Sequence, residues 1–133
     1  MKASSVSFMG AVVLALVGMC WGIVMAASQD HSTMPAHAHL NLLGWVSLFL
    51  FGLFYHLHPA IDASRIAFTQ VSIWIIGTVV LTIGVALVHS GNAIGDPIAA
   101  ISSLVVVAAM ALFGWIVLRR ERMAALPRPV PAE

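Results

Sequence analysis

The sequence has few charged side chains. Only 8% of its 133 residues are Asp, Glu, Lys or Arg, whereas 61% are hydrophobic and the mean hydropathy is +1.02. Because a soluble domain carries about 25% charged residues, most of this surface must face lipid. A formal net charge of +1 is also too small to attract a nucleic acid. The composition therefore predicts a membrane protein whose main partner is the lipid bilayer and which binds no nucleic acid.

Cysteine is nearly absent as well. Cys20 is the one cysteine of the chain and lies inside an apolar run. A single cysteine excludes an intrachain disulfide, and this position predicts a small packing residue.

The apolar residues form four runs, each near the ~20 residues that cross a hydrocarbon core. The first run exceeds the 7–15-residue core of a signal peptide, which predicts a span that is retained. The sequence thus predicts an all-α fold, an integral membrane four-helix bundle in one domain, followed by a disordered Pro-rich tail over residues 123–133. The predicted spans are 8–27, 36–58, 66–89 and 97–118.

Small residues indicate where the spans pack. Gly18 and Gly22 form a G-x-x-x-G step, which allows another helix to approach closely. Gly77 and Gly84, one heptad apart, predict a face of the third span that packs on protein.

All basic residues fall on one side of a four-span arrangement. The connections 28–35 and 90–96 contain Asp30 and Asp96 and no Lys or Arg. By the positive-inside rule, the sequence predicts a multi-pass protein of a bacterial-type inner membrane with both termini in the cytoplasm. The basic residues are Lys2, Arg65, Arg119, Arg120, Arg122 and Arg128.

Histidine is concentrated in the second hydrophobic run. His37 and His39 open this run, and His56 and His58 close it. Ionisable residues at membrane depth are costly, so they indicate a functional site. Interfacial anchoring explains a single histidine at a helix end, but two H-x-H pairs on one span predict metal or cofactor ligation.

His39 and His89 are predicted to share one iron. His39 begins the second span and His89 ends the third, so antiparallel packing gives them a similar depth. Two facing helices can each supply one axial imidazole to a haem. Residues two apart on a helix point ~200° away from each other, so His37 faces elsewhere and is a further cofactor-binding candidate. Gly44 and Gly84 are predicted to leave room for a flat macrocycle.

Two alternatives stay open. Imidazole and thioether ligands suit copper, and His31, Met34, His37 and His39 form an H-x-x-M-x-x-H-x-H pattern on the outer side. In the other alternative, the histidines only anchor a non-catalytic subunit beside a larger respiratory complex or in a homo-oligomer.

Residues 39–43 (HLNLL), followed by Trp45, resemble the second helix of the catalytic subunit of haem–copper oxidases, most closely in the nitric oxide reductase branch. The chain is also similar over nearly its full length to small four-helix proteins described as cytochrome c oxidase subunit I-like. The resemblance implies that His39 is an axial ligand of haem b on the outer side. It implies electron transport or diatomic-ligand sensing as the function. The large enzymes have about twelve spans and a trio of copper-binding histidines. This chain has four spans and does not match that trio, so the resemblance does not extend to catalysis by this chain alone.

Overall fold

A computed structural model describes residues 1–124 of the chain. The described residues form four long helices and one helical turn, which confirms the all-α prediction. The four long helices are long and apolar enough to cross a membrane, and they fit a multi-pass membrane protein. Residues 123 and 124 still belong to the last helix, and the rest of the predicted tail lies outside the described residues. The elements are α1 (Ala3–Ser28), α2 (Met34–His56), α3 (Pro59–Asp62), α4 (Arg65–His89) and α5 (Gly95–Ala124).

Helices that follow each other in the sequence pack antiparallel in the structure. The packing of α1 on α2 uses Gly18 and Gly22, as the G-x-x-x-G step predicts. A Cβ atom on Gly18 would lie 2.6 Å from Oδ1 of Asn41, and one on Gly22 would lie 3.2 Å from the ring of His37. The two glycines therefore make room for polar side chains of α2.

The glycines of α4 have the same role towards α5. Gly77 and Gly84 are buried, and a Cβ atom on Gly84 would lie 2.6 Å from the backbone nitrogen of Ala99. This contact confirms that their face packs on protein. The expectation that Gly44 and Gly84 admit a macrocycle is wrong, because a Cβ atom on Gly44 would lie 2.9 Å from the side chain of Leu14. Neighbouring helices already fill both positions.

A buried carboxylate ties α3 to the start of α1. Asp62 is 4% exposed and accepts hydrogen bonds from the backbone N–H of Ser4 at 2.7 Å and from its hydroxyl at 2.8 Å. The first N–H groups of a helix have no partner within it, so Asp62 supplies one. The connection between α2 and α4 therefore contains a helical turn with a buried acid.

A buried polar connection joins three helices. The Tyr55 hydroxyl donates to Oε1 of Gln70 at 2.9 Å, and Nε2 of Gln70 donates to the Ala109 carbonyl at 3.3 Å. Phe113 of α5 packs beside this connection, with its ring centroid 4.3 Å from that of Phe51. These contacts hold α2, α4 and α5 together near the end of the molecule that carries Lys2, Arg65, Arg119 and Arg120, called the basic end below. The other end, formed by residues 29–33 and 90–94, is called the loop end.

A π-helical segment interrupts α2 over Leu40–Ser47. Side chains supply donors to two of its carbonyl groups. Ser47 Oγ donates to the Leu42 carbonyl at 2.9 Å, and Nε1 of Trp74 donates to the Leu43 carbonyl at 2.9 Å. Such segments occur frequently at functional sites, and this one begins directly after His39.

The outer face of α1 is apolar and exposed. Val13, Leu16 and Ile23 are all more than half exposed, which suits a lipid-facing helix surface. Cys20 is exposed on the same helix, so its prediction as a packing residue is wrong.

Candidate functional site

A groove separates α2 from α5 in the half of the molecule nearer the loop end. Its volume is about 550 Å³, within the ~300–1,000 Å³ of small-molecule and cofactor sites. Leu81 of α4 lies between the two walls. The α2 wall consists of Pro35, Ala38, His39, Leu42 and Leu43, and the α5 wall of Ser103, Val106 and Val107.

The groove exists because side-chain size on α5 differs between its two halves. Near the basic end, Phe113 fills the space between α5 and α2 and packs on the rings of Phe51, Phe54 and Tyr55. Nearer the loop end, the α5 residues that line the groove are Ser103, Val106 and Val107, whose side chains are small or β-branched. These residues are too short to bridge the gap to α2.

His39 is the imidazole among the residues that line the groove. Its ring is half-buried, and Nδ1 lies 2.7 Å from the Pro35 carbonyl. A carbonyl only accepts, so this contact assigns the proton to Nδ1 and leaves the lone pair on Nε2 available. Metal-binding histidines commonly have this arrangement, in which the second nitrogen donates to a backbone carbonyl.

His89 has the same hydrogen-bond arrangement in a different place. It is the last residue of α4, it is exposed, and Nδ1 lies 2.9 Å from the Val85 carbonyl. Its Nε2 atom is therefore available too. His89 does not line the groove, so its pairing with His39 remains a prediction.

His37 lies on the α1 side of α2, away from the groove. Its ring faces Gly22, and Nδ2 of Asn41 lies 3.3 Å from its Nε2 atom. The same Asn41 nitrogen donates to the His37 carbonyl at 2.8 Å. The different directions of His37 and His39 agree with the ~200° separation expected for this spacing.

The predicted copper ligands are not assembled. His31 and Met34 are exposed near the loop end, whereas His37 faces α1 and His39 faces the groove. Within residues 1–124, no three His, Cys, Asp or Glu side chains are close enough to hold a metal ion.

The loop end carries negative rather than positive charge. The backbone N–H of Ser32 donates to Oδ1 of Asp30 at 2.9 Å, and this bond lowers the pKa of the Asp30 carboxyl. Trp21 donates to the Thr33 hydroxyl at 3.1 Å. The connections 28–35 and 90–96 contain no Lys or Arg. An acidic group of a ligand at this end would therefore meet uncharged hydrogen-bond donors.

His56 and His58 lie at the basic end, remote from the groove. His56 is exposed and its ring meets that of Phe8 edge-on at 6.3 Å. The ring of His58 packs on Phe54 at 4.4 Å, and its Nδ1 atom lies 2.5 Å from the Phe54 carbonyl. Both histidines contact aromatic rings of the bundle.

No protein-family model, curated protein or solved structure matches the chain. The function of the chain is therefore inferred from the groove and from the one imidazole that lines it. The sequence predicts His39 as a candidate ligand, and His39 lines the groove, but the sequence does not predict the apolar groove residues, among them Leu42, Leu43 and Val106. On α5, the groove is lined by Ser103, Val106 and Val107, whereas Phe113 fills the corresponding space nearer the basic end; this difference in side-chain size is the signal in the sequence.

Proposed function

We propose that the chain is a small b-type haem-binding protein of a bacterial-type inner membrane, with His39 as an axial ligand in the α2–α5 groove. One observation carries the proposal. A half-buried imidazole with an available Nε2 atom lines an otherwise largely apolar groove of about 550 Å³.

The residues of the groove fit a porphyrin. Leu42, Leu43, Leu81 and Val106 offer apolar walls to a flat, apolar ring. The bond between Nδ1 of His39 and the Pro35 carbonyl orients the imidazole and raises the basicity of its other nitrogen. When bound, haem supplies one-electron transfer or the binding of a diatomic gas.

The number of histidines in the groove bears on which activity is favoured. Among the described residues that line the groove, His39 is the one histidine, and a haem held by this imidazole alone would be able to bind a small gas molecule. This arrangement favours sensing of a diatomic ligand. Electron transfer is the second candidate, supported by the available Nε2 atom of His89, because two imidazoles would close both axial positions.

The charge distribution and the sequence resemblance support the same orientation. By the positive-inside rule, the basic end faces the cytoplasm, and the groove then opens in the outer half of the membrane. The resemblance of residues 39–43 to the oxidase helix implies an outer-side haem ligand at the same histidine.

Visible spectroscopy of the full chain in mild detergent, loaded with haem b, tests this proposal. His39→Ala should lose nearly all bound haem. His31→Ala, which removes an exposed imidazole from the same end, should retain it. An unchanged spectrum in His89→Ala favours the sensing function, whereas loss of the low-spin bands establishes the His39–His89 pair.

Two results would contradict haem binding at this site. The first is a wild-type chain that takes up no haem. The second is an unchanged Soret band in His39→Ala. Stoichiometric copper in the purified chain would instead support the His31, Met34, His37 and His39 alternative.

A further inference from the structure

A second depression lies at the basic end, between the start of α4 and the last turns of α5. Its volume is about 430 Å³. Ile61, Ile66 and Ile116 give it an apolar floor, and Trp115, Arg119 and Arg120 form the side contributed by α5. It is separate from the α2–α5 groove, since the two share no lining residue.

The charge at this depression is positive. Arg119 and Arg120 are exposed at its rim. Among the described residues that line it there is no Asp or Glu. Asp62, in the adjacent turn, is buried, and both of its carboxylate oxygens accept hydrogen bonds from Ser4. That carboxylate is already satisfied and does not face the depression.

Trp115 positions one of the two guanidinium groups. The Cζ atom of Arg119 lies 5.1 Å from the centroid of the Trp115 ring, which is a cation–π distance. This contact restrains the side chain beside the apolar floor. The guanidinium retains N–H donors in the plane of its fork, which suits phosphate oxygens.

A phospholipid has both of the chemical parts that such a site needs. Its phosphate suits two adjacent guanidinium groups, and its acyl chain suits an isoleucine-lined floor. Tryptophan is also enriched where the head groups of a bilayer lie. Neither a free anion, which has no apolar part, nor a neutral lipid, which has no net charge, matches both halves of the site.

We propose that this depression binds an anionic phospholipid, with its phosphate at Arg119 and Arg120 and an acyl chain against Ile66 and Ile116. The proposal is independent of haem binding. It rests on the juxtaposition of two guanidinium groups, an indole and an apolar floor.

Quenching of tryptophan fluorescence by brominated lipids tests the proposal on the full chain in detergent. Phosphatidylglycerol with brominated acyl chains should bind roughly tenfold more tightly than brominated phosphatidylcholine, because each basic residue favours an anionic head group. Trp115→Phe should abolish the difference in quenching between phosphatidylglycerol and phosphatidylcholine, since the Trp115 indole lines the depression. Circular dichroism of each variant checks that the helices are retained.

Two double variants distinguish lipid binding at the depression from nonspecific attraction of anionic lipids by the positive charge of the basic end. Arg119→Gln with Arg120→Gln should reduce phosphatidylglycerol binding to the phosphatidylcholine level. Lys2→Gln with Arg65→Gln removes the same charge from the basic end but changes no residue that lines the depression, so it should leave the preference nearly intact.

Several results would overturn the proposal. Equal binding of the two lipids would show that the depression has no preference for an anionic head group. Equal losses of phosphatidylglycerol binding in both double variants would show that the preference comes from the overall charge of the basic end. Undiminished phosphatidylglycerol quenching in Trp115→Phe would put the lipid elsewhere. Displacement of the lipid by millimolar inorganic phosphate would identify the occupant as a free anion.

Discussion

At the residue scale, the stability of the basic end depends on one carboxylate. Asp62 accepts two hydrogen bonds from Ser4, and in an apolar interior a donor without a partner costs about 1–3 kcal/mol. The two bonds also join segments 58 residues apart in the sequence. Asp62 therefore holds the first helix to the connection between α2 and α4.

We expect Asp62→Ala to lower the free energy of unfolding by about 2–4 kcal/mol, because it leaves two buried donors of Ser4 unpaired. Thermal unfolding of the full chain in detergent, followed by circular dichroism, measures this. Asp30→Ala is the control, since Asp30 is exposed, and its effect should stay within about 0.5 kcal/mol. A loss for Asp62→Ala no larger than the control would contradict a structural role of the carboxylate.

The two histidines at the basic end give a second prediction at this scale. His56 and His58 contact Phe8 and Phe54, respectively. His56 lies ~25 Å along α2 from His39, and His58 follows just after the end of α2. Replacing both with alanine should therefore leave the haem content of the chain nearly unchanged. Haem content per correctly inserted chain is the measurement. Complete loss of haem in this double variant would contradict the prediction, because it would place the cofactor at the basic end and not in the α2–α5 groove.

At the scale of the helices, the sequence predicts their existence and approximate bounds but not their interruptions. The predicted spans 8–27 and 66–89 correspond to Ala3–Ser28 and Arg65–His89. Hydropathy detects such runs because a bilayer requires about 20 apolar residues. It does not detect the π-helical segment Leu40–Ser47, whose Leu43 carbonyl depends on the distant Trp74.

The candidate site shows the same limit. His39 stands out because an imidazole is costly in an apolar run. The groove beside it lies between α2 and α5, and it depends on contacts between these helices such as that of Phe113 with Phe51. Contacts between residues far apart in the sequence leave no local periodicity, so a pattern on one helix does not predict them.

Helix packing yields a prediction that compares two glycines. A Cβ atom on Gly18 would lie 2.6 Å from Asn41, whereas one on Gly114 would meet nothing within 4 Å. Gly18→Ala should destabilise the chain by about 1–3 kcal/mol through overpacking. Gly114→Ala should be neutral or stabilise it by up to about 1 kcal/mol, since alanine favours helix. Similar effects at both positions in thermal unfolding would contradict the close approach of α1 and α2.

The π-helical segment yields another prediction. Trp74→Phe removes the donor to the Leu43 carbonyl and should cost about 1–3 kcal/mol, because that carbonyl then lacks its side-chain partner in an apolar region. Trp45→Phe changes an indole that is 48% exposed and should cost less than about 0.5 kcal/mol. The difference in unfolding temperature between the two variants measures the combined contribution of this bond and of the buried indole ring, which is 0% exposed.

For the whole molecule, the distribution of charge predicts the topology. Lys2, Arg65, Arg119 and Arg120 share one end of the bundle, and Asp30 and Asp96 lie towards the other. Reporter fusions truncated after Arg65 should report the cytoplasm, and fusions after Asp96 should report the opposite compartment. If both report the same compartment, the four-span arrangement fails, together with the outer position of the α2–α5 groove.

The π-helical segment also lets α2 hold one residue more than an ordinary helix. Each hydrogen-bonded ring of a π-helix closes over one residue more than an α-helical ring, and one residue of an α-helix corresponds to ~100° of rotation. Deleting a single residue within Leu40–Ser47 would let the segment relax to an ordinary α-helix, so the two ends of α2 would keep their relative orientation and His39 would still face the groove. The same deletion between Leu48 and His56 would turn His39 by ~100° out of the groove, and His37, which points ~200° away from His39, would not take its place.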